Sequence, residues 1–515
     1  MDAREVAKHG SAESCWVVIH GEVYDVTSYI SQHPGGATVL LRWAGKTNLK
    51  DATAEYAKVH SPSTVRETLS KAKQLGPLDE TTREYMRPDD GAAPKHGSEV
   101  AAGEDTASHI NLCVRIDDFT EIARKRVSEQ AFVYISSAAD TQQSHQDNLA
   151  QWSKVTFVPR VLRDVSRVDL STSMFGQRCA MPFFIAATAL VGLTHPDGEA
   201  GLARAAAARG LHYSPSTYTS VPHATIAKCH RQAAAADGSG DSSLFFQLYV
   251  QASKDNTLAR IRAAKESGYR GLMITVDTPC VGNRDEDRRL KAREELELGV
   301  PEPRSGDKEA KVVPGSNSGG LSRSLSWGDL AWIREAWAGP IALKGIQSEE
   351  DARLAMEAGV EAIYLSNHGG RQLHSAPPCL ATLLRIRRRY PEVLERCEVF
   401  VDGAATRGGD ILKAICLGAR AVGIGRPFLY AMGAYGPQGV HKAIDSEFHH
   451  DPLILHSHTS ADLHAVLRHE METTMALLGA TSITELKDNM VNVARLERDL
   501  DLHSVRCSNE RPYKL

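Results

Sequence analysis

Eight short runs of β-branched and other apolar residues, each followed by a longer helical pattern, constrain the fold of this chain most strongly. Runs of this length are typical of buried strands, and strands that alternate with helices form parallel sheets. Eight such units in succession predict an α/β fold of the closed (β/α)8 TIM barrel type. The runs are 183–188, 212–217, 244–250, 271–277, 340–346, 362–368, 398–403 and 421–427.

Polar side chains gather at the C-terminal end of nearly every run. In a TIM barrel all the strands end on one face, and active sites are built there. We therefore predict that these side chains share one site. They are Thr188, Ser216, Gln247, Tyr249, Thr275, Asp277, Lys344, His368, Arg371, Asp402 and Arg426.

Two histidines precede the barrel, in the motifs His33-Pro34-Gly35-Gly36 and His60-Ser61-Pro62. A haem iron bound by two imidazoles needs histidines on separate segments, each directed inward by a tight turn. Together with predicted strands at 15–18 and 23–26, these motifs resemble cytochrome b5. The resemblance implies a small α+β domain in which His33 and His60 are the axial ligands of haem b, and hence an electron carrier.

The length of 515 residues predicts more than one domain, because single hydrophobic cores stop growing well below this size. Between 76 and 108 small and charged residues replace large apolar ones, which predicts a flexible linker. The predicted division is 1–76 for the cytochrome b5-like domain, 77–108 for the linker, 109–487 for the barrel and 488–515 for a C-terminal tail.

Composition excludes several classes of partner. A net charge of -4 offers no basic surface for nucleic acid, and no apolar stretch is long enough to span a membrane. The first residues do not form a signal peptide or a transit sequence, so we expect a location in the cytoplasm or an organelle lumen, such as the mitochondrial intermembrane space or the peroxisome. Nine cysteines without a Cys-x-x-Cys pair predict reduced thiols and no zinc site.

Two segments interrupt the strand-helix pattern. The charged stretch 281–324 is too long for an ordinary connection and predicts a lid or mobile loop. The stretch 446–463 carries His449, His450, His456 and His458. Clustered histidines can bind metal, but their spacing sets no coordination geometry, and a solvated insertion is the favoured interpretation.

The run 366–373, Ser-Asn-His-Gly-Gly-Arg-Gln-Leu, is the most specific motif of the barrel. From about residue 110 to 487 the chain resembles the FMN-dependent 2-hydroxy acid oxidoreductases. Oxidation of a 2-hydroxy acid needs a base, a cation that grips the carboxylate in a bidentate fork, and an electron acceptor. The resemblance implies that His368 is the base and that Arg371 is the carboxylate clamp.

The same resemblance implies four more catalytic or substrate contacts. Asp277 would orient the base and stabilise its imidazolium, although an aspartate at a strand end can also cap the next helix. Arg284 would be a second ligand of the carboxylate. Tyr134 and Tyr249 would hydrogen-bond the substrate, with a role in packing as the alternative.

FMN is the cofactor that the resemblance implies. Lys344 would stabilise the negative charge of the reduced flavin, and Ala187, Thr188 and Ala189 would lie against its ring. The other implied FMN contacts are Ser216, Gln247 and Thr275 at the pyrimidine edge, with Asp402, Gly403, Arg407, Gly425 and Arg426 at the phosphate.

The departures from the family pattern include His374, Ile135 and Ala138, and three others that bear on FMN binding and on the substrate pocket. Thr406 replaces an arginine expected at the phosphate, and Ala404 replaces a glycine, so weak FMN binding is expected. Tyr218 replaces a leucine of the lactate-oxidising members and would either narrow the substrate pocket or offer it a hydroxyl.

The function predicted from the sequence is oxidation of an L-2-hydroxy acid, with lactate favoured, by FMN. Electrons would pass one at a time to haem b and then to cytochrome c or a similar soluble acceptor, and the family implies a homotetramer. One alternative is an oxidase or dehydrogenase of a bulkier 2-hydroxy acid that uses oxygen. An alternative of another class is a haem electron-transfer protein whose barrel has lost FMN.

Overall fold

The structure is a computed structural model that describes residues 1–33, 36–45, 51–60, 62, 64–79, 109–237, 241–297, 320–444 and 466–500. Pro34, Gly35 and Ser61 of the two histidine motifs lie outside these ranges. So do most of the predicted linker, the histidine-rich stretch 446–463 and the last fifteen residues of the predicted tail.

The first module combines one antiparallel sheet with short helices, as the α+β prediction required. The sheet order is β1-β2-β3-β4, and β2 joins β3 through a tight turn in which His20 and Gly21 have positive φ, typical of two-residue hairpins. Its core lies between the sheet and the helices. The elements are α1 (Ala3–Val6), β1 (Gly10–Ser11), β2 (Ser14–Ile19), β3 (Glu22–Asp25), α2 (Ala37–Trp43), α3 (Thr53–Ala57), α4 (Thr64–Thr68) and β4 (Gln74–Pro77).

Three helices, strand β5 and the β6–β7 hairpin precede the barrel, and the hairpin closes its N-terminal end. The β6–β7 hairpin carries Phe175, whose ring packs edge-on against Phe245 at 5.0 Å and Phe400 at 5.4 Å between ring centroids. This aromatic contact closes the end opposite the predicted site. The elements are α5 (Ile116–Arg126), α6 (Glu129–Ser136), α7 (Gln143–Gln151), β5 (Thr156–Phe157), β6 (Thr172–Met174) and β7 (Gln177–Cys179).

The second module is the predicted barrel. Its parallel sheet has the order β8-β14-β13-β12-β11-β10-β9 in the described residues. The strands are β8 (Phe183–Ile185), β9 (Phe245–Leu248), β10 (Gly271–Thr275), β11 (Ile341–Ile346), β12 (Ala362–Leu365), β13 (Glu398–Val401) and β14 (Ala421–Ile424).

The predicted second run, 212–217, closes the barrel without forming a regular strand. Tyr213 bridges Ile185 of β8 and Leu244 beside β9, both in parallel register. Pro215 follows, and because proline has no N–H, it cannot extend a ladder of hydrogen bonds. The barrel therefore has eight positions around its circumference, as predicted.

Helices cover the outside of the barrel, and the connecting loops meet at the C-terminal ends of the strands. The remaining elements are α8 (Gly198–Ala207), α9 (His223–Asp237), α10 (Lys254–Ser267), α11 (Asp285–Glu297), α12 (Leu330–Ala336), α13 (Glu349–Glu357), α14 (Cys379–Arg389), α15 (Glu392–Arg396), α16 (Gly408–Cys416), α17 (Arg426–Ile444), α18 (Val466–Leu478), β15 (Val491–Asn492) and α19 (Ala494–Asp499).

Two segments differ from the sequence-based description. Within 281–324, predicted to be a lid or mobile loop, helix α11 occupies the first part, and 298–319 lie outside the described residues. After residue 487, β15 pairs with β5 and Leu496 of α19 is buried, so this part of the predicted tail packs on the barrel.

Among the described residues, the two modules approach each other closely at Gly36 and at Lys58. A Cβ on Gly36, which begins α2, would lie 3.7 Å from Glu295 Oε1 and 3.8 Å from Lys291 Cγ on α11. The backbone carbonyl of Lys58 faces Gly192 of the barrel. Among the described residues, no helix combines the length and apolar character needed to cross a membrane.

Candidate functional site

His33 and His60 face each other across the first module. Their ring centroids lie 6.1 Å apart with 68° between the ring planes. Two imidazoles bonded to one metal ion at about 2 Å would place their ring centres roughly 6 Å apart. The described residues at the two predicted ligand positions therefore fit a single iron between them.

Burial keeps both rings neutral, as metal ligands must be. It lowers the pKa of His33, and burial together with the nearby His33 lowers the pKa of His60 to about 4. His33 Nδ1 lies 3.3 Å from the Gly36 carbonyl oxygen, which leaves Nε2 for the cavity. The surrounding walls are largely apolar, as a porphyrin requires, and include Val39, Leu40, Trp43, Tyr56 and Val59.

His368 is the centre of a second polar cluster at the C-terminal end of the barrel. Its Nδ1 lies 3.0 and 3.2 Å from the two carboxylate oxygens of Asp277, and its Nε2 lies 3.2 Å from the Tyr249 hydroxyl. The carboxylate selects the tautomer with the proton on Nδ1, so Nε2 is the basic nitrogen. The cluster is thus arranged to accept a proton at Nε2.

The electrostatics of this pair agree with that role. Burial lowers the pKa of His368, while the Asp277 carboxylate raises it in part. Burial alone would raise the pKa of Asp277, but His368 and Lys344 hold it below its ordinary value. The imidazole is therefore neutral at pH 7, and the carboxylate is ionised beside it.

The loop that carries His368 has a strained backbone. His368, Gly369 and Gly370 have φ values of 58°, 64° and 79°, a left-handed conformation that glycine adopts freely and histidine rarely does. Two glycines after the histidine allow the chain to turn back over the strand end. The Ser366 hydroxyl accepts the His368 N–H at 3.0 Å and helps to hold this turn.

Arg371 leaves the same loop and points toward the C-terminal end of α6. It donates to the backbone carbonyls of Ser137 at 2.6 Å, Tyr134 at 2.9 Å and Ile135 at 3.1 Å. Burial and the charge of Arg284 lower the pKa of Arg371 to about 9. Three of its five N–H groups are used in this way, so Nε and one hydrogen of Nη2 are available for a carboxylate.

Arg284 and Tyr134 complete this side of the cavity. The guanidinium carbons of Arg284 and Arg371 lie 5.7 and 5.4 Å from the centre of the Tyr134 ring. Arg284 Nε is buried and, within the described residues, has no hydrogen-bond partner. A buried guanidinium nitrogen without a partner fits an anionic ligand that would accept its hydrogen bond.

Lys344 lies in β11, the neighbour of β10, and pairs in register with Thr275. Its Nζ donates to the Ser366 hydroxyl at 3.0 Å, and that hydroxyl donates to Asp402 at 2.8 Å. Asp402, which was predicted at the phosphate, lines the cavity and holds its carboxylate in this Lys344 network.

The polar residues of the predicted pyrimidine edge hold one another in place. Gln247 donates to the Thr275 hydroxyl at 2.8 Å and accepts the Thr217 N–H at 3.0 Å. The Ser216 hydroxyl accepts the Tyr218 N–H at 3.2 Å. The three predicted residues Ser216, Gln247 and Thr275 all line the cavity.

Small residues line the predicted flavin face. Ala187, Thr188, Ala189 and Gly425 all border the cavity, where larger side chains would fill the space of a planar ring. The buried Thr188 hydroxyl has no hydrogen-bond partner among the described residues. A ligand that accepts or donates there would satisfy it.

Only some of the residues at the predicted phosphate end line the cavity. Gly403, Thr406 and Arg426 line the cavity, whereas Arg407 does not. The Arg407 guanidinium instead pairs with Asp117 at 2.9 Å and Glu470 at 3.5 Å. Arg407 begins α16, and successive side chains at a helix start point in different directions, so its position beside Thr406 does not place it in the site.

His145 is a site residue that the sequence did not predict. Both of its ring nitrogens lie 3.1 Å from Arg426 Nη1, and Arg426 also donates to the Gly369 carbonyl. Burial, followed by the charges of Arg426 and Arg371, lowers the pKa of His145 to about 3. His145 lies on α7, before the first strand, so a search of strand ends could not find it.

Tyr218 borders the substrate side. Its ring stacks on Tyr249 with 5.6 Å between centroids, and Gln251 donates to its hydroxyl at 3.3 Å. Tyr218 lines the cavity, so both predicted roles, a narrower pocket and a hydroxyl offered to the substrate, stay predictions.

One cavity of about 2600 Å³ is lined by His33 and His60 of the first module and by the site residues of the barrel. This is larger than the space for one ordinary ligand, about 300–1000 Å³, and fits a haem, a flavin mononucleotide and a small acid. Four predicted cations, Lys344, Arg284, Arg371 and Arg426, face two predicted carboxylates, Asp277 and Asp402. The excess positive charge suits a phosphate and a substrate carboxylate.

A barrel with this cluster, joined to a module in which two histidines face each other, is typical of a flavin-dependent dehydrogenase coupled to a haem. The family models agree: residues 123–449 match the FMN-dependent dehydrogenases, and residues 2–79 match the cytochrome b5-like heme/steroid binding domain. The chain belongs to the FMN-dependent dehydrogenase family, with an attached cytochrome b5-like domain, and its cofactors are FMN and haem.

Similar proteins share both modules. An L-lactate dehydrogenase (cytochrome) of Wickerhamomyces anomalus is 34% identical over 95% of this chain and 79% of its own length. The protein of the same name from Saccharomyces cerevisiae is 35% identical over 96% and 80%. A solved flavocytochrome b2 variant with pyruvate bound matches 79% of this chain and 95% of its own, at 31% identity and a TM-score of 0.65.

Proposed function

We propose that this chain oxidises an L-2-hydroxy acid, lactate foremost, to the 2-oxo acid and passes the electrons to haem b and then to cytochrome c. The observation that carries the proposal is the contact of His368 with both Asp277 and Tyr249, beside two arginines, in a cavity that continues to His33 and His60. The names of the two yeast relatives and the pyruvate in the solved structure support lactate as substrate.

His368 acts as the base in this proposal. The His368 imidazole is neutral at pH 7, and its Nε2 takes a proton from the substrate. Asp277 stabilises the imidazolium that results. Tyr249 donates its hydroxyl hydrogen bond at the same place and orients the substrate oxygen. Burial raises the pKa of Tyr249, so this residue keeps its proton and remains a donor.

Arg371 and Arg284 hold the carboxylate of the substrate. The backbone carbonyls at the end of α6 fix the Arg371 plane, so its two remaining N–H groups form a side-on fork. Arg284 contributes a second cation across the Tyr134 ring. The substrate is thus gripped at one end and presented to His368 at the other.

FMN, when bound, accepts two electrons from the substrate and releases them singly to the haem. Lys344 places a fixed positive charge beside the predicted ring position and favours the anionic, reduced form. Ser366 and Asp402 hold its ammonium in place. His145 and Arg426 are the residues that we assign to the phosphate end.

The wider assignments rest on the resemblance to the family. We propose a cytochrome b5-like domain that ends near residue 79 instead of 76, because Leu78 is buried in that module, and a barrel that extends to about 500. The intervening residues form the linker. A homotetramer, cytochrome c as acceptor, and a location in the cytoplasm or an organelle lumen complete the proposal.

The absorption spectrum of the purified protein, followed by a panel of 2-hydroxy acids under anaerobic conditions, tests this function. We expect flavin and haem bands together, and both should be reduced by L-lactate. Mandelate should react poorly because the Tyr218 ring narrows the pocket. A protein that does not take up added FMN, or flavin that is reduced only by bulky acids, would contradict the proposal.

Replacement of the base gives the matching mutational test. His368→Gln should slow flavin reduction by about 100- to 10,000-fold, the usual contribution of general-base catalysis, with little change in flavin content. His109→Gln, an exposed histidine at the start of the barrel, is the matched control. A His368→Gln protein with near-normal flavin reduction would remove this residue from the mechanism.

A further inference from the structure

The haem module packs closely against the barrel at Gly192. We call this contact, between the turn Val191–Leu193 and the Lys58 carbonyl, the seat. Residues Val191–Leu193 form a 3-10 turn after β8, and Gly192 is fully buried there. A Cβ on residue 192 would overlap the backbone carbonyl oxygen of Lys58. Only a residue without a side chain lets this segment approach so closely, and Lys58 lies two residues before the haem ligand His60.

A buried carboxylate holds the seat in place. Glu199 accepts the N–H groups of Val191, Ser220 and Val221, each at 3.1 Å, and the Ser220 hydroxyl at 2.7 Å. The Ser220 hydroxyl also accepts the Gly192 N–H at 2.8 Å. These bonds tie the Gly192 turn to the next loop of the barrel, so the seat cannot move by itself.

The second contact between the modules lies on the other haem ligand's segment. Gly36, three residues after His33, faces Lys291 and Glu295 of α11. Both ligand-bearing segments of the haem module are therefore directed at the barrel, one at each contact. A shift at Gly192 would move His60 and loosen the contact at α11.

We propose that Gly192 is the residue that seats the haem module against the flavin end of the cavity and thereby sets the rate of electron transfer from flavin to haem. This proposal rests on the proposed function. In the step concerned, the reduced flavin is oxidised by one electron and the ferric haem iron is reduced by that electron. Gly192 acts by positioning and contacts neither cofactor's reacting atoms.

The test is Gly192→Ala in the full-length protein with both cofactors bound. Anaerobic stopped-flow mixing with L-lactate should show flavin reduction at the wild-type rate. Haem reduction should be slower by about tenfold or more. An extra methyl group in a close contact destabilises the packed state, and the equilibrium constant for packing of the haem module should fall by more than about tenfold. Equal rates of haem reduction in variant and wild type would overturn the proposal.

Amide hydrogen exchange gives a second readout, which does not depend on turnover. We expect Gly192→Ala to increase exchange in α11, which contacts the haem module from a different loop. A local distortion of the turn at 191–193 would leave α11 unchanged. Unchanged exchange in α11 would therefore contradict the proposed seat.

A double variant separates crowding by the haem module from crowding within the barrel. A Cβ on residue 192 would also lie 2.7 Å from Ser220 Oγ and 2.9 Å from Ser220 Cβ. Gly192→Ala combined with Ser220→Gly removes this crowding but leaves the Lys58 carbonyl in place. Because Ser220→Gly also removes the hydrogen bond from the Gly192 N–H to the Ser220 hydroxyl, it serves as the reference. The combined variant should reduce haem more slowly than Ser220→Gly alone, and equal rates in these two proteins would refute the seat.

Failure of the proposed function would look different. In that case no 2-hydroxy acid would reduce the flavin of the wild-type protein. Illumination with EDTA would then reduce the flavin in place of the substrate. The same comparison of haem reduction in wild type and Gly192→Ala would still decide the role of Gly192.

Discussion

Asp277 and His368 form a pair in which each residue changes the charge state of the other. Burial lowers the pKa of His368 and the Asp277 carboxylate opposes that effect. Because the base must be neutral, kcat/KM should be flat above the ordinary histidine pKa of about 6.5 and should fall as the pH drops through the lowered pKa.

Replacement of Asp277 should shift the acid limb of the pH profile, which is the fall of kcat/KM at low pH. In Asp277→Asn the imidazolium loses its stabilising anion, so the pKa of His368 falls further, and the limb shifts to lower pH. The plateau rate should also fall, because a weaker base accepts the proton less readily. The measurement is the pH profile of kcat/KM, with Asp285→Asn as a control on a nearby surface carboxylate. A limb that moves to higher pH would disprove the pairing.

Arg371 illustrates how backbone carbonyls can prepare a side chain for its ligand. Three carbonyls at the end of α6 leave Nε and one Nη2 hydrogen free for a side-on fork. Arg371→Lys offers only a point charge. We expect kcat/KM for lactate to fall by roughly 10- to 100-fold, the effect of one lost charge-assisted hydrogen bond.

Steady-state kinetics with lactate would measure this loss. Arg407→Lys is the matched control, because the Arg407 guanidinium pairs with Asp117 and Glu470 and does not line the cavity. If Arg371→Lys and Arg407→Lys behaved alike, the carboxylate clamp would be assigned to the wrong arginine.

At the scale of elements, strand ends were the most predictable part of the site. Residues such as Lys344, His368 and Gln247 follow buried runs, and parallel strands of a closed barrel bring such positions to one face. What strand position could not supply was side-chain direction. Arg407 points outward at the start of a helix, and the Asp402 carboxylate turns to Ser366, because these orientations depend on partners distant in sequence.

Other differences have equally local causes. The run 212–217 lacks regular pairing because Pro215 cannot donate to a ladder. Helix α11 was described from sequence as loop because its charged residues show little hydrophobic periodicity, although most are good helix formers. Lys291 and Glu295 of this helix contact the other module, and Arg293 pairs with Glu129 of α6. A single chain segment does not reveal such contacts.

The loop between β13 and α16 carries Ala404 and Thr406, two of the expected departures from the family pattern. Thr406 lines the cavity and Ala404 has a positive φ of 61°, which costs a non-glycine residue conformational energy. A guanidinium at 406 would add a charge-assisted bond to the phosphate, about 1.5 to 3 kcal/mol. Thr406→Arg should therefore slow FMN loss and tighten binding by about tenfold or more.

Recovery of flavin fluorescence on dilution measures this dissociation at fixed salt. Thr406→Val is the control, since it keeps the size of the side chain and adds no charge, and it should bind FMN no more tightly than the wild type. Unchanged binding in Thr406→Arg would mean that Arg426, His145 and backbone amides already satisfy the phosphate.

At the scale of the whole molecule, a continuous cavity joins two modules that each have their own core. Separate cores predict that damage to one cofactor site leaves the other intact. His33→Ala should abolish bound haem, because each imidazole supplies one axial bond. Flavin reduction by lactate should continue at the wild-type rate.

Visible spectra and stopped-flow traces would check both halves of this expectation. His20→Asn, at a turn of the same module with positive φ that asparagine tolerates, is the control and should keep its haem. A six-coordinate haem in His33→Ala would show that another residue is the ligand.

The central claim is that electrons travel from the substrate through flavin to haem within one chain. The most direct measurement compares protein depleted of FMN with the same protein after FMN is restored, mixed anaerobically with L-lactate while the haem bands are followed. We expect no haem reduction without FMN, and with FMN restored we expect flavin bleaching followed by haem reduction. Haem reduction by lactate in the FMN-free protein, or bleached flavin beside haem that stays oxidised, would contradict the account.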